Sequence, residues 1–296
     1  MFGVISPSDV IGMGLPTPLS GSQSTTGMHG SARVRLRSGE NGTTLEDLHQ
    51  SSPLRVLFPI AADGDPLTAA LITTSGGLVG GDSLTVDLAV GENAQGLFVA
   101  QAAEKIYRST GADGRIDVRL TAGPGGWLEF LPQETILFDN ARLRRNTDID
   151  VPPGGRLLAG EILVFGRTAR GERMARGLVR DSWKIRRGGR LVWHDALHLD
   201  GDITAHLDNP AGFGGCHAAA TLALVADDAS RLLAVLRSCV DDTDLRFGAT
   251  IVNGILVGRW LAADTLALRR SFGIAWGELR AAAGGWPKTL PRLWHI

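Results

Sequence analysis

Carboxylates in apolar company are the residues of this sequence with the strongest claim to chemistry. Glu129, Glu134 and Asp139 fall within Trp127–Asp139, and Glu161 stands in the run Leu157-Leu158-Ala159-Gly160-Glu161-Ile162-Leu163-Val164-Phe165. An ionised carboxylate in such a setting is costly unless it is paired, protonated or turned to water. Three arrangements meet that condition: a buried arginine–carboxylate pair, a general acid/base pair, or an oxygen-lined path for a cation. Arg108 and Arg167 are the candidate partners. From Arg167 to Arg190 nine basic residues accompany only Glu172 and Asp181. That stretch suits a dock for an acidic partner or a solvated strand face.

Other chemistries are less well supported. The sequence contains no phosphate loop of the G-x-x-x-x-G-K-[ST] type, no strand-borne G-x-G-x-x-G, no H-E-x-x-H and no G-x-S-x-G. The run Gly76-Gly77-Leu78-Val79-Gly80-Gly81-Asp82 lacks a phosphate-binding lysine and reads as a pair of tight turns. His194 and His198 lie in a segment that reads as a strand, where four residues span about 13 Å, too far for one ion to touch both. Cys216 and His217 are adjacent in a probable-strand pattern and point to opposite faces, which makes a poor chelate. Thirty basic against 31 acidic side chains leave no global field for a nucleic acid. No apolar run reaches 18 residues, and the N-terminus has no early Lys or Arg, so neither a membrane span nor a secretory signal is expected. Cys216 and Cys239 make no disulfide framework. A reduced, cytoplasmic protein is the expectation.

The elements that must position these carboxylates read as mainly β. Arg33-Val34-Arg35-Leu36-Arg37, Leu84-Thr85-Val86-Asp87-Leu88 and Ile116-Asp117-Val118-Arg119-Leu120 alternate polar and apolar residues, placing each apolar set on one sheet face. Glycine-rich turns separate such runs, among them Gly80-Gly81-Asp82, Gly123-Pro124-Gly125-Gly126 and Pro152-Pro153-Gly154-Gly155. Two segments switch to helical spacing. Ala229–Val240 follows Asp227 and Asp228, either of which could cap it, and Thr265–Ala283 follows Asp264 and stops at Gly284-Gly285. Residues 1–30, rich in Gly, Ser, Thr and Pro, read as a flexible extension. Residues 31–296 read as one domain, without a linker or a strict repeat.

Several segments together resemble the UreD (UreH) family of urease accessory proteins. They are Thr74-Ser75-Gly76-Gly77-Leu78-Val79-Gly80-Gly81-Asp82, Gln101-Ala102-Ala103-Glu104-Lys105-Ile106-Tyr107-Arg108-Ser109 and Leu128-Glu129-Phe130-Leu131-Pro132-Gln133-Glu134-Thr135-Ile136-Leu137-Phe138. Gly166-Arg167, Gly171-Glu172, Val257-Gly258-Arg259 and Pro291-Arg292-Leu293-Trp294 follow in the family's order. Ser75 stands where many relatives carry proline, and the first 30 residues fall outside the resemblance.

The resemblance implies a non-catalytic maturation factor with stacked β-helix-like layers and two helices towards the C-terminus. It implies binding of apo-urease together with UreF and the GTPase UreG, and nickel in transit through an internal passage, with no tightly bound cofactor. A conduit must admit an ion and release it, which carboxylates, amides and water suit better than a His/Cys cage. On that basis Asp82, Glu104, Glu134, Glu161 and Glu172 are the transit candidates, with Tyr107, Arg108, Gln133 and Arg167 in support. Two alternatives stand beside it: a pure docking module, and a hydrolase with Glu134 and Glu161 as acid and base.

Overall fold

The period-two segments become strands of two facing sheets. A computed structural model describes residues 27–240 and 245–295. Its first strands are β1 (His29–Gly39), β2 (Gly42–Ser51), β3 (Leu54–Leu57), β4 (Leu67–Thr73), β5 (Ser83–Val90) and β6 (Gln95–Ala100). Next come β7 (Glu104–Ile106), β8 (Gly114–Ala122), β9 (Trp127–Leu131), β10 (Thr135–Leu137), β11 (Arg142–Val151) and β12 (Arg156–Phe165). The last are β13 (Arg176–Arg187), β14 (Arg190–Asp202), β15 (Ala218–Val225), β16 (Arg246–Val252) and β17 (Ile255–Ala262). Three α-helices accompany them: α1 (Ile203–Asp208), α2 (Leu233–Ser238) and α3 (Thr265–Gly284).

The chain alternates between the sheets, so that it stacks as a solenoid. In the first sheet β1, β5, β8, β11 and β13 run parallel, closed by antiparallel β2 at one end and β14 at the other. In the second, β4, β6, β9 and β12 run parallel, with antiparallel β3 at one end and β15, β17 and β16 at the other. Short β7 and β10 pair with one another at the side, and β10 also pairs with β12.

Burial explains why the two sheets read differently. Strands of the first sheet have one wet face, so β8 alternates buried and exposed residues along its length. Inner strands of the second are covered on both sides: all five residues of β9 are buried, as are nine of the ten in β12. One hydrophobic core fills the space between the sheets. A second lies between the second sheet and the helices, centred on Trp260, Phe272 and Trp276. On the wet face of the first sheet, Arg33, Asp87, Arg119, Asp148 and Lys184 stand in one in-register row of alternating sign. Exposed pairs of this kind are worth about 0–1 kcal/mol each, so the row serves strand register more than stability. The basic stretch from Arg167 to Arg190 is therefore in part a strand face: Arg186 meets Asp148 at 3.2 Å.

Helix α3 starts as expected, with Asp264 Oδ1 accepting from the Leu266 N–H at 2.8 Å, and ends on Gly285 at φ +75°. The other expected helix is shorter than its periodicity implied. Ala229–Leu232 is a 3-10 turn and only Leu233–Ser238 is α-helical. Arg156 and Arg231 engage the Asp228 carboxylate, which makes no cap, and the uncapped first turn tightens. Six-residue α1, which sequence periodicity did not signal, is capped by Asp202 accepting from the Ala205 N–H at 3.0 Å. Of the expected N-terminal extension, residues 1–26 lie outside the described residues, and His29 already opens β1. No helix among the described residues is long and apolar enough to cross a membrane.

Gly160 of β12 marks the closest approach of α3 to the sheet. A Cβ there would sit 2.5 Å from Phe272 and 3.1 Å from both Trp276 and the Thr221 carbonyl. Gly160→Ala is expected to lower stability by about 1–3 kcal/mol through overpacking. Chemical denaturation would measure this, and an unchanged midpoint would show that α3 can move away freely.

Candidate functional site

Four strands bring charged and polar side chains together at one point between the sheets. Arg145 of β11 and Asp181 of β13 are register partners in the first sheet. Glu161 reaches them from β12 in the second, and Thr135 from β10 beside it. Each occupies the phase of its strand that otherwise carries core residues: Leu143 and Ile149 beside Arg145, Val179 and Ile185 beside Asp181, Ala159 and Leu163 beside Glu161. The alternation therefore forces these groups inward.

The guanidinium of Arg145 sits between the two carboxylates. Its Nε donates to Asp181 Oδ1 at 3.0 Å and its Nη2 to Asp181 Oδ2 at 2.7 Å. Nη2 also meets Glu161 Oε2, and Nη1 donates to Thr135 Oγ1 at 3.0 Å. The indole N–H of Trp183 donates to Glu161 Oε1 at 2.9 Å. Burial pushes the Glu161 pKa well above the usual carboxylate range, and the neighbouring Asp181 charge adds to this against the attraction of Arg145. Burial opposes the Asp181 charge too, but the Arg145 guanidinium outweighs it and holds that carboxyl below its ordinary value. Burial also works against the Arg145 charge, yet the flanking carboxylates keep its pKa above normal.

Two cavities meet at this junction. The larger, about 660 Å³, is bounded by Glu161, Asp181 and Trp183 and reaches the exposed residues Ala196, Gly212 and Arg246. The smaller, about 170 Å³, is lined by Glu104, Gln133, Thr135, Arg145 and Thr147 and reaches exposed Gln101 and Lys105. Glu161 and Trp183 belong to both walls.

The structure distributes the expected site residues over several places. Glu104 and Gln133 join Glu161 at the smaller cavity. Thr73 Oγ1 donates to Glu104 at 2.6 Å, and burial raises the Glu104 pKa against that hydrogen bond. Gln133 Nε2 donates to the Leu293 carbonyl at 2.5 Å. Glu134 occupies the opposite phase to Gln133 and Thr135. It faces α3, where it pairs with Arg269, whose guanidinium lies 4.1 Å from the Trp294 ring centroid. Tyr107, Arg108, Arg167 and Glu172 line a separate surface depression of about 600 Å³. There Arg167 Nε meets Glu172 at 2.7 Å and its guanidinium covers the Phe138 ring, while the Tyr107 hydroxyl donates to the Gly76 carbonyl at 2.9 Å. The Asp139 backbone N–H, then Arg167, hold the Glu172 pKa down. Asp82 lines neither of the two meeting cavities. Its carboxylate accepts the Met28 and Val79 backbone N–H groups, both at 2.8 Å, and so closes the glycine turn.

Among the described residues no three His, Cys, Asp or Glu side chains are arranged to hold a metal ion. His194 and His198 are exposed on β14, and buried Cys216 with His217 immediately precedes β15 and lies outside it.

The family profile described as UreD urease accessory protein matches residues 28–295. The Magnetococcus marinus protein named urease accessory protein UreD is 43% identical over 280 residues, covering 93% of this chain and 96% of the relative. Proteins of that name from Rhodopseudomonas palustris (strain HaA2) and Methylobacterium sp. (strain 4-46) are 44% and 42% identical over 265 and 271 residues. The former covers 90% of this chain and 92% of the relative, the latter 89% and 94%. The chain belongs to the UreD family.

All the residues of the junction lie within the UreD-matching segment. Two of them, Arg145 and Asp181, are not among the site residues expected from sequence, where Arg108 and Arg167 are the candidate partners of the apolar-run carboxylates. The guanidinium that meets Glu161 is that of Arg145, and the one that meets Glu129 is that of Arg280. A signal for the first was present: in Leu143-Arg144-Arg145-Asn146-Thr147-Asp148-Ile149, Arg145 falls in the apolar phase. Asp181 does the same between Val179 and Trp183.

Proposed function

We propose that this UreD-family protein acts in the cytoplasm as a non-catalytic urease maturation factor. It binds apo-urease together with UreF and UreG and passes nickel towards the urease active site through the two meeting cavities. The observation that carries this reading is the junction itself: buried Glu161 stands in a wall common to two cavities that each reach exposed residues, and buried Asp181 lines the larger of them beside it. Glu104 lines the smaller cavity as a further oxygen donor. Oxygen ligands hold Ni²⁺ less firmly than imidazole or thiolate, which lets an ion leave as well as enter. Nickel is cargo here, and no reaction is assigned to the chain. The hydrolase alternative needs Glu134 and Glu161 to flank one bond, and they line different cavities.

The test is co-expression of the Glu161→Gln variant with the urease subunits, UreF and UreG, followed by metal analysis of purified urease. Complex assembly is expected to persist while urease nickel falls about tenfold, the equivalent of roughly 1.4 kcal/mol of lost attraction for the ion. Full nickel loading would remove the passage. It would favour the docking-module reading, for which the engagement of both Glu161 oxygens by Arg145 and Trp183 is the specific support.

A further inference from the structure

Arg145 occupies the place between Glu161 and Asp181 that a divalent cation crossing the junction would take. The atoms it holds are all oxygen donors of the kind metal ions use: Asp181 Oδ1 at 3.0 Å and Oδ2 at 2.7 Å, Thr135 Oγ1 at 3.0 Å, and Glu161 Oε2. The remaining Glu161 oxygen is anchored separately by Trp183 at 2.9 Å. We infer that Arg145 is a built-in competitor for the cation, closing the junction when it is empty and displacing the ion when it returns. Removing Arg145 then converts the junction into a site that retains a divalent cation.

This deepens the passage reading and rests on it. Two carboxylates and a guanidinium sum to a single negative charge, whereas two carboxylates and a dication are neutral. All three together are positive, and among side chains this buried the two cations repel with less screening than at the surface. One therefore leaves as the other arrives. Arg145 has somewhere to go, because its side chain also lines the smaller cavity, where the Thr147 hydroxyl lies in the same strand phase. An arginine suits the task better than a lysine: its fork takes both Asp181 oxygens and a third partner at once, so closure is specific.

The experiment uses the full chain with NiCl₂ as the probe. Arg145→Met keeps the volume of the aliphatic stem and frees the three carboxylate oxygens and the Thr135 hydroxyl. The variant is expected to retain about one Ni²⁺ per chain through desalting, where the wild type retains little. Its melting temperature is expected to rise by roughly 5–10 °C once nickel reaches about a hundred times its dissociation constant, with the wild type unmoved. A variant that folds poorly without metal stays informative, since nickel would then restore its cooperative melting. Arg145→Met/Glu161→Gln is expected to lose both effects. Retention no greater than in the wild type, or retention surviving in the double variant, would overturn the inference. In co-expression, Arg145→Met is expected to lower urease nickel while itself carrying metal. Full urease loading by a metal-retaining variant would instead overturn the passage and leave the competition at the junction standing.

Discussion

Arg280→Ala is expected to lower stability by about 3–5 kcal/mol, or the melting temperature by roughly 6–20 °C for a chain of this size. Arg280 is wholly buried in α3, and its Nε meets Glu129 at 3.0 Å in a fully buried pair. Its Nη2 meets Asp65 at 2.9 Å, and its Nη1 donates to the Pro287 and Thr289 carbonyls at 2.9 and 2.8 Å. One guanidinium thus ties the second sheet, the loop before β4, helix α3 and the C-terminal segment together. Glu129 also accepts from the Trp127 and Trp276 indoles, each at 2.9 Å, which keeps its geometry when Arg280 is gone but not its charge balance. Burial already pushes the Glu129 pKa upward, so the stranded carboxyl would protonate at a cost. Adding Glu129→Gln should recover part of the loss, because the stranded charge is removed with it. Thermal melts of the two single variants and the double decide this. A melt for Arg280→Ala within about 2 °C of wild type would show the network to be neutral.

At the junction the two carboxylates are expected to answer neutralisation in opposite ways. Asp181→Asn should cost about 3–5 kcal/mol at pH 7, since Arg145 loses its two-pronged partner in a buried site. Glu161→Gln should stay within about 1 kcal/mol of wild type, because burial and the Asp181 charge already oppose the Glu161 charge and a neutral amide oxygen can still accept from Arg145 or Trp183. The pH dependence separates them further. Asp181 has a depressed folded-state pKa, so its contribution is present above its unfolded value and is lost as pH falls through the folded one. Glu161 has a raised folded-state pKa, so its contribution is present below its unfolded value and is lost as pH rises through the folded one. Denaturation from pH 2 to 8 should therefore show Glu161→Gln gaining on wild type as pH rises, while the Asp181→Asn deficit holds from neutral pH down to the ordinary carboxylate range and shrinks only below it. The reverse ranking at pH 7 would mean that Glu161 is the carboxylate to which Arg145 is committed.

Much of the fold was legible because a strand half exposed to water must alternate. The first-sheet segments around Leu84, Ile116 and Val34 show that period, and helix α3 shows its own behind the Asp264 cap. The second sheet was harder to read, since β9 and β12 are covered on both faces and lose the alternation. Glu161 was legible as an anomaly for the same reason: a charge in a run with no wet side must have a partner. The partner itself was not legible. Arg145 sits 16 residues before Glu161 and Asp181 20 residues after it, and neither spacing belongs to a local motif. Likewise the spacing of Glu134 from Gln133 and Thr135 does not say which of the two cores each faces, and the helix laid over the second sheet decides it.

Alone, then, the order of residues determined a β-rich, glycine-turned chain of the UreD family with carboxylates in apolar runs, because periodicity, turn chemistry and family segments are all short-range properties. Tertiary structure decided which arginine meets which acid, that Asp82 closes a turn and Glu134 anchors a helix, and that Glu161 stands where two cavities meet. Those outcomes depend on how successive coils stack and on which sheet receives each strand, and such distances are set by the packing of the whole solenoid.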